Sequence, residues 1–283
     1  MAMSIKLRRS QVAGSVIFAV LFFALQGLHA APRDGRAVVS AVSGSAEYQL
    51  AGETKWEAVR VGMALSETTS VRTATQSSVD LVLTTGSIVR LASGSLLRFS
   101  RLSQDIQGPG PLTSGAPAIR HSEMTLERGE ALVMASKQVG GSTFRINTPH
   151  GPVDVKGTSL VISLVGNQLV VRCVEGGPVT FLVGGQLITV AQGQQITGTV
   201  APTGQVTVTG PPVPAPSNDS LATAFNQFQQ NQTSSGIAAI VLNQPGPINL
   251  DQLMQAVASQ AGGQPIVVIV GPSTASEVSV STP

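Results

Sequence analysis

Two stretches decide the fold: Val71–Phe99, VRTATQSSVDLVLTTGSIVRLASGSLLRF, and Phe144–Phe181, FRINTPHGPVDVKGTSLVISLVGNQLVVRCVEGGPVTF. Both are runs of short apolar segments cut by Gly-centred turns. Val79, Leu81 and Leu83 alternate with Asp80 and Thr84, the period-two pattern of a half-buried strand with one polar face. Thr84-Thr85-Gly86-Ser87 reads as a hairpin turn, because glycine supplies the positive φ that tight turns need. Ile88–Leu91 then returns, Ser93-Gly94-Ser95 turns again and Leu96–Phe99 continues the meander.

The same punctuation extends outward from about Gly35 to Thr209, with Thr189–Val190 and Gln194–Thr199 as the last strands before Pro202. Many short strands at such spacing predict an all-β main domain, a short-stranded antiparallel sandwich or roll. No segment of this region holds a 3.6-residue apolar period, so helices should be minor there. Ser103–Ile119 interrupts the pattern. Its core, QGPGPLTSGAPA, is uncharged and aperiodic and is expected to be an exposed loop insertion, disordered or, as the alternative, a binding loop.

Gly210–Asn218 (GPPVPAPSN) is a Pro-rich, semi-rigid linker. Beyond it, residues 219–283 read as a small α/β or partly disordered tail, free or docked on the β-domain. Its expected elements are a helix over Leu221–Gln230 capped by Asp219 or Ser220, a strand at Ile237–Leu242, a helix over Leu250–Gln260 capped by Asn249, and a strand at Ile266–Val270. Gly262–Gly263 would stop the second helix.

At the other end, Lys6, Arg8 and Arg9 precede the apolar run Val12–Leu25, the layout of a signal peptide over residues 1–30. Cleavage is expected after Ala30, with an uncleaved membrane anchor as the alternative. Either way the remainder is exported, to the periplasm or beyond. Removing the signal changes the charge balance from 17 basic against 15 acidic residues to 14 against 15. No basic cluster remains and aromatics are scarce, which argues against a nucleic-acid partner. The one cysteine, Cys173, lies in an alternating run and reads as a buried thiol that cannot form a disulfide within the chain, an intermolecular disulfide or a reactive thiol being the alternative.

Nothing in the chain assembles into catalytic machinery. His121, with Glu123 and Glu127 nearby, lacks metal-ligand spacing, and His150 sits in a turn. No serine lies in a nucleophile elbow, and no glycine-rich piece carries a phosphate-loop lysine or stands between a strand and a helix. The chain is therefore expected to be no enzyme, and to hold neither metal nor cofactor.

Read in order, several segments resemble the FecR domain, a periplasmic β-domain of bacterial sensor and envelope proteins. They are Trp56 with Val61-Gly62; Val71-Arg72-Thr73; Gly86-Ser87-Ile88-Val89-Arg90-Leu91; Leu126-Glu127-Arg128-Gly129-Glu130-Ala131; Phe144-Arg145-Ile146-Asn147-Thr148-Pro149; Val155-Lys156-Gly157-Thr158; and Val174-Glu175-Gly176. The resemblance spans about Val38 to Gly193. It assigns structural parts to Trp56, Gly86, Gly129, Thr148, Pro149, Gly157, Thr158 and Gly176. Arg72, Arg90 and Lys156 are the weak binding candidates, or else surface cations paired with Asp80, Asp154 or Glu175. The family's sensors carry a sigma-factor-engaging segment before a membrane span, whereas only about eleven residues precede the apolar run here. The resemblance thus implies an exported form lacking that segment, which binds or senses a protein partner in the cell envelope. A structural envelope or extracellular component is the alternative. A carbohydrate-binding β-protein using Trp56 or Tyr48 comes third.

Overall fold

The computed structural model describes residues 32–105, 118–243, 248–260 and 268–270. The signal peptide, the middle of the loop insertion and the Gly262–Gly263 stop lie outside the described residues.

The strands form two sheets that share one long strand. Strands β1 (Pro32–Asp34), β2 (Ala37–Ser43), β3 (Ala46–Gln49), β4 (Glu57–Ala58), β5 (Met63–Leu65), β6 (Ser70–Thr73), β7 (Ser78–Leu83), β8 (Ser87–Leu91) and β9 (Leu96–Asp105) come first. Next is the shared strand β10 (Ile119–Ala135). Strands β11 (Thr143–Thr148), β12 (Gly151–Asp154), β13 (Thr158–Val165), β14 (Gln168–Gly176), β15 (Val179–Val183), β16 (Gln186–Val190) and β17 (Gln194–Val200) follow. The short β18 (Val206–Val208), β19 (Val213–Pro214) and β20 (Val268–Val270) complete the set.

Sheet I runs β4–β3–β6–β9–β10–β11–β12–β15–β16, with β1 on the far end of β9. Sheet II runs β20–β5–β2–β7–β8–β10–β13–β14–β17, with β18 and β19 along β17. Pairings are antiparallel except β10–β11 and β20–β5. The whole is one open, mostly antiparallel sheet folded over at β10. The fold comes at Gly129, whose φ is +85° and whose missing Cβ would lie 2.4 Å from Ser95 Cα. Residues before it pair in sheet I and those after it in sheet II. Ser95 Oγ holds the corner by accepting from Glu130 N–H and donating to Glu130 O.

Alternate side chains of the two sheets meet in one core. Phe99, Leu97, Met124, Ile146 and Phe181 of sheet I face Leu81, Val89, Val133, Ile162 and Val171 of sheet II. Each such large apolar side chain contributes roughly 1.5–3 kcal/mol through its removal from water. Cys173 lies in this core as a free, fully buried thiol.

The opposite face of sheet II is apolar too, and helices cover it. Val38, Ala64, Val82, Ile88, Leu132, Met134 and Val161 pack under α1 (Ser220–Ser234), α2 (Ile237–Leu242) and α3 (Leu250–Gln260). Phe225, Phe228, Ile237, Val241, Leu253 and Val257 supply the helical half of this second core. The Pro-rich linker is tied down as well, since β19 within it pairs with β17.

Two sequence expectations change here. Ile237–Leu242 is a helix, not a strand. A six-residue apolar run has no readable period, and burial of Ile237 and Val241, four residues apart, selects the helical repeat. In β7 the Asp80 face is not solvated: it lies beneath the helices, so β7 is buried on both faces. The expected hairpin at Thr84–Ser87 is present, with Leu83 opposite Ser87 and Gly86 at φ +91°.

Candidate functional site: a latched face and an open face

On the helical side, a single cross-strand row runs Ala41–Asp80–Arg90–Leu132–Val161–Arg172–Gln195. It is ionic at both ends and apolar in the middle. Helix α1 crosses it and is fixed at both ends. At its start, Asp219 is the N-cap: its Oδ1 accepts from Ala222 N–H at 2.8 Å and from Arg172 Nη1 at 2.8 Å, and Oδ2 accepts from Arg172 Nη2 at 2.5 Å. Arg172 also donates to Gln195 Oε1 and to Pro216 O, and its side chain is only 4% exposed. At the far end, Gln232 Nε2 donates to Asp80 Oδ2 at 2.8 Å. That carboxylate is already held by Arg90 through two bonds of 2.6 and 2.7 Å, and its side chain is 2% exposed. The Arg90 guanidinium lies 4.9 Å from the centre of the Phe228 ring.

The spacing explains why a helix fits there. Thirteen residues from Asp219 to Gln232 rise about 20 Å at ~1.5 Å each. From β7 to β14 the row crosses four strand spacings of about 4.8 Å, or about 19 Å. Both ionic pairs are thus met by one straight helix. Next to the Asp80 end a hollow of about 450 Å³ opens between sheet and helices, lined by Ser40, Asp80, Arg90, Gln232, Ser235 and Gln260.

The outer face of sheet I carries no such cover among the described residues. Its central row is Arg101–Glu123–Arg145–Asp154–Thr180–Thr189, alternating in charge across β9, β10, β11 and β12 before becoming neutral at the edge. Arg145 donates two hydrogen bonds to Asp154, which raise its pKa, and Glu123 accepts from Asn147 Nδ2 at 2.8 Å. Toward the opposite edge, Arg72 pairs with Glu47 and lies 4.1 Å over the Trp56 ring. Beside it Tyr48 donates to Glu57, and its pKa is raised by burial and by that carboxylate.

The candidate residues do not converge. Arg72 is on the outer face of sheet I, Arg90 lies under the helices of sheet II, and Lys156 is exposed just after β12. Arg90 pairs with Asp80, while Arg72 takes Glu47 and Asp154 takes Arg145. The motif residues occupy turns and corners. Gly86 lies in the β7–β8 hairpin and Gly129 at the β10 corner; Thr148 Oγ1 and Pro149 make the β11–β12 turn, with Thr148 donating to Gly151 O. Thr158, opposite Gly176, donates to Gly177 O. At Gly157 a Cβ would come within 2.6 Å of Lys137 Cα. The sequence does not single out Gln195 or Gln232, and it shows Asp219 only as a candidate helix cap, because their partners stand far away in the chain.

The electrostatics are those of a fastened scaffold. Arg172 holds the Asp219 carboxyl down at about 2, and burial pushes the Cys173 thiol up to about 11. Among the described residues no group of three metal-ligating side chains is gathered, and no helix is long and apolar enough to cross a membrane.

Residues 69–177 match the family model described as FecR protein. Two crystal structures of a "putative anti-sigma factor" from Parabacteroides distasonis ATCC 8503, at 2.50 and 1.65 Å resolution, are similar at 16% and 17% identity. The overlap covers 68% of this chain and 91% and 92% of theirs, each with a TM-score of 0.39. No curated protein matches the chain. FecR is a regulatory rather than a catalytic family. The matched span includes Asp80, Arg90 and Arg172 of the latched face and Glu123, Arg145 and Asp154 of the open one. Residues 69–177, from β6 through β14, are a FecR domain.

Proposed function

We propose that this chain is a non-catalytic, exported FecR-domain protein that binds a protein partner of the cell envelope through the open face of sheet I, in a sensing or signalling role. One observation carries the reading: the FecR strands have two faces of opposite fate. The apolar face of sheet II is closed by the chain's own helices. The face of sheet I presents the charge row Arg101–Glu123–Arg145–Asp154 to solvent. Exposed ion pairs of this kind stabilise a fold by only about 0–1 kcal/mol each. Across an interface, the same alternation fixes register and rejects wrong partners. The export signal expected at residues 1–30 supports an envelope location.

A photo-crosslinking side chain at Thr125, in the middle of the open face, tests this in cells expressing the full chain. The expected result is a specific adduct with one envelope protein, lost in a Glu123→Lys/Arg145→Glu double variant and absent when the crosslinker replaces Gln229 on α1. Amino-terminal sequencing of the secreted fraction should begin at Ala31. Retention in the cytoplasm, or an adduct indifferent to the double variant, would sink the proposal.

A further inference from the structure

The edges of the two sheets are not equally protected. In sheet I, β4 is two residues long and carries Glu57 paired with Lys55 at 3.0 Å. In sheet II, β20 and β18 have three residues each, and β19 has two and ends in Pro214. Shortness, charge and proline are the usual devices that keep strand edges from pairing with other chains. β16 has none of them. Gln186-Leu187-Ile188-Thr189-Val190 is five residues long, regular in its pairing with β15, and free of charge and proline. No Asp, Glu, Lys or Arg occurs anywhere between Glu175 and Asp219. Leu187 is 66% exposed, and Leu182, directly opposite on β15, is exposed as well.

The hairpin geometry says which backbone groups are free. Gly184 and Gly185 have φ of 56° and 79°, the two left-handed central residues of a type I′ turn. The flanking pair Val183–Gln186 is then hydrogen-bonded, and the antiparallel alternation turns the N–H and C=O of Leu187 and Thr189 away from β15. Among the described residues no backbone partner meets them.

We infer that β16 is a self-pairing edge, at which two copies of this chain join antiparallel about a two-fold axis through Ile188. In that register Leu187 stands opposite Thr189 of the second copy and Thr189 opposite its Leu187. The four outward donors and acceptors of each strand are then all satisfied. Ile188 meets its own counterpart at the close, non-hydrogen-bonded position. Ile188 is already half-buried against the central core, so the two cores become continuous. Because the edge is uncharged, a second copy of it meets no like-charge repulsion, and that copy supplies a strand in the matching register. Five paired residues cover much less than the ~800 Å² per partner of a standard stable interface. The association is therefore weak and reversible, carried by backbone pairing rather than by area.

Sedimentation velocity of the full mature chain from about 1 to 500 µM, a range suited to a small interface, tests the inference. The wild type should shift from monomer to dimer within that range. Thr189→Pro removes an outward N–H without touching the β15 ladder, and Leu187→Lys adds a charge to the edge. Each should move the midpoint to at least tenfold higher concentration with an unchanged circular dichroism spectrum. If Thr189→Pro loses that spectrum, Leu187→Lys decides alone. A wild type that stays monomeric throughout overturns the inference and leaves the edge to a strand of another protein. A dimer indifferent to the folded variants overturns it equally.

Discussion

Replacing Asp219 by Asn leaves a side chain that can still cap α1 but removes the charge paired with Arg172. The native carboxyl is held at about 2 against an ordinary value of 3.8. Nearly two units, at 1.36 kcal/mol each, would correspond to roughly 2–2.5 kcal/mol. The Asp219 side chain is 33% exposed, so solvent screening reduces this to about 1–2 kcal/mol. Arg172 keeps Gln195 Oε1 and Pro216 O as acceptors, which is why the loss stays below the ~3–5 kcal/mol of a buried pair broken outright. Because the folded pKa is depressed, the stabilisation is complete above about pH 4 and disappears as pH falls through about 2. Urea unfolding followed at 222 nm, where the helices dominate, should show Asp219→Asn less stable than wild type by that amount at pH 7. The gap should narrow between pH 4 and 2. Equal midpoints at pH 7, or a gap that persists undiminished at pH 2, would refute the account of α1 as an ionically fastened helix.

Three further outcomes follow from the packing. Phe228→Ala removes a fully buried ring that meets Phe225 edge-on at 6.0 Å and lies against Arg90; it should cost about 3–5 kcal/mol in urea unfolding and raise binding of a hydrophobic dye, and a loss below about 1 kcal/mol would contradict the docked helices. Gly157→Ala, whose Cβ would lie 2.6 Å from Lys137 Cα at φ 72°, should be destabilised by at least ~1–2 kcal/mol more than Gly204→Ala, at φ 81° with nothing within 4 Å; equal losses would show that the close approach is not there. The Cys173 thiol, buried and raised to about 11, should resist an aromatic disulfide reagent at pH 8 in the native protein and react once guanidinium unfolds it, whereas prompt native labelling would place it outside the core.

The β-domain was legible because its code is local. Val79, Leu81 and Leu83 point one way along a strand whatever surrounds them, and Gly86 turns the chain whatever follows. Ordered along the chain, such pieces carry the FecR resemblance on their own. The latched face was less legible. Asp80 stands in a polar position of an alternating strand, and its cover, Gln232, is 152 residues away. The apolar neighbours on that same face, Val38, Val82, Ile88 and Leu132, were the available signal, since a strand apolar on both faces implies a second covering layer. Ile237–Leu242 hides its conformation for a related reason: six apolar residues in a row signal burial but not in which repeat.

Local chemistry sets the short strands, their turns and a helix cap at Asp219 or Ser220, because each depends on φ, side-chain direction or hydrogen bonds within a few residues. Only the tertiary structure decided which face is closed and which is open. Helix α1 matches in length the distance between Asp80 and Arg172 across sheet II, and among the described residues no helix lies over the charge row of sheet I. That difference is a property of distances between strands distant in the chain, which no local pattern of residues records.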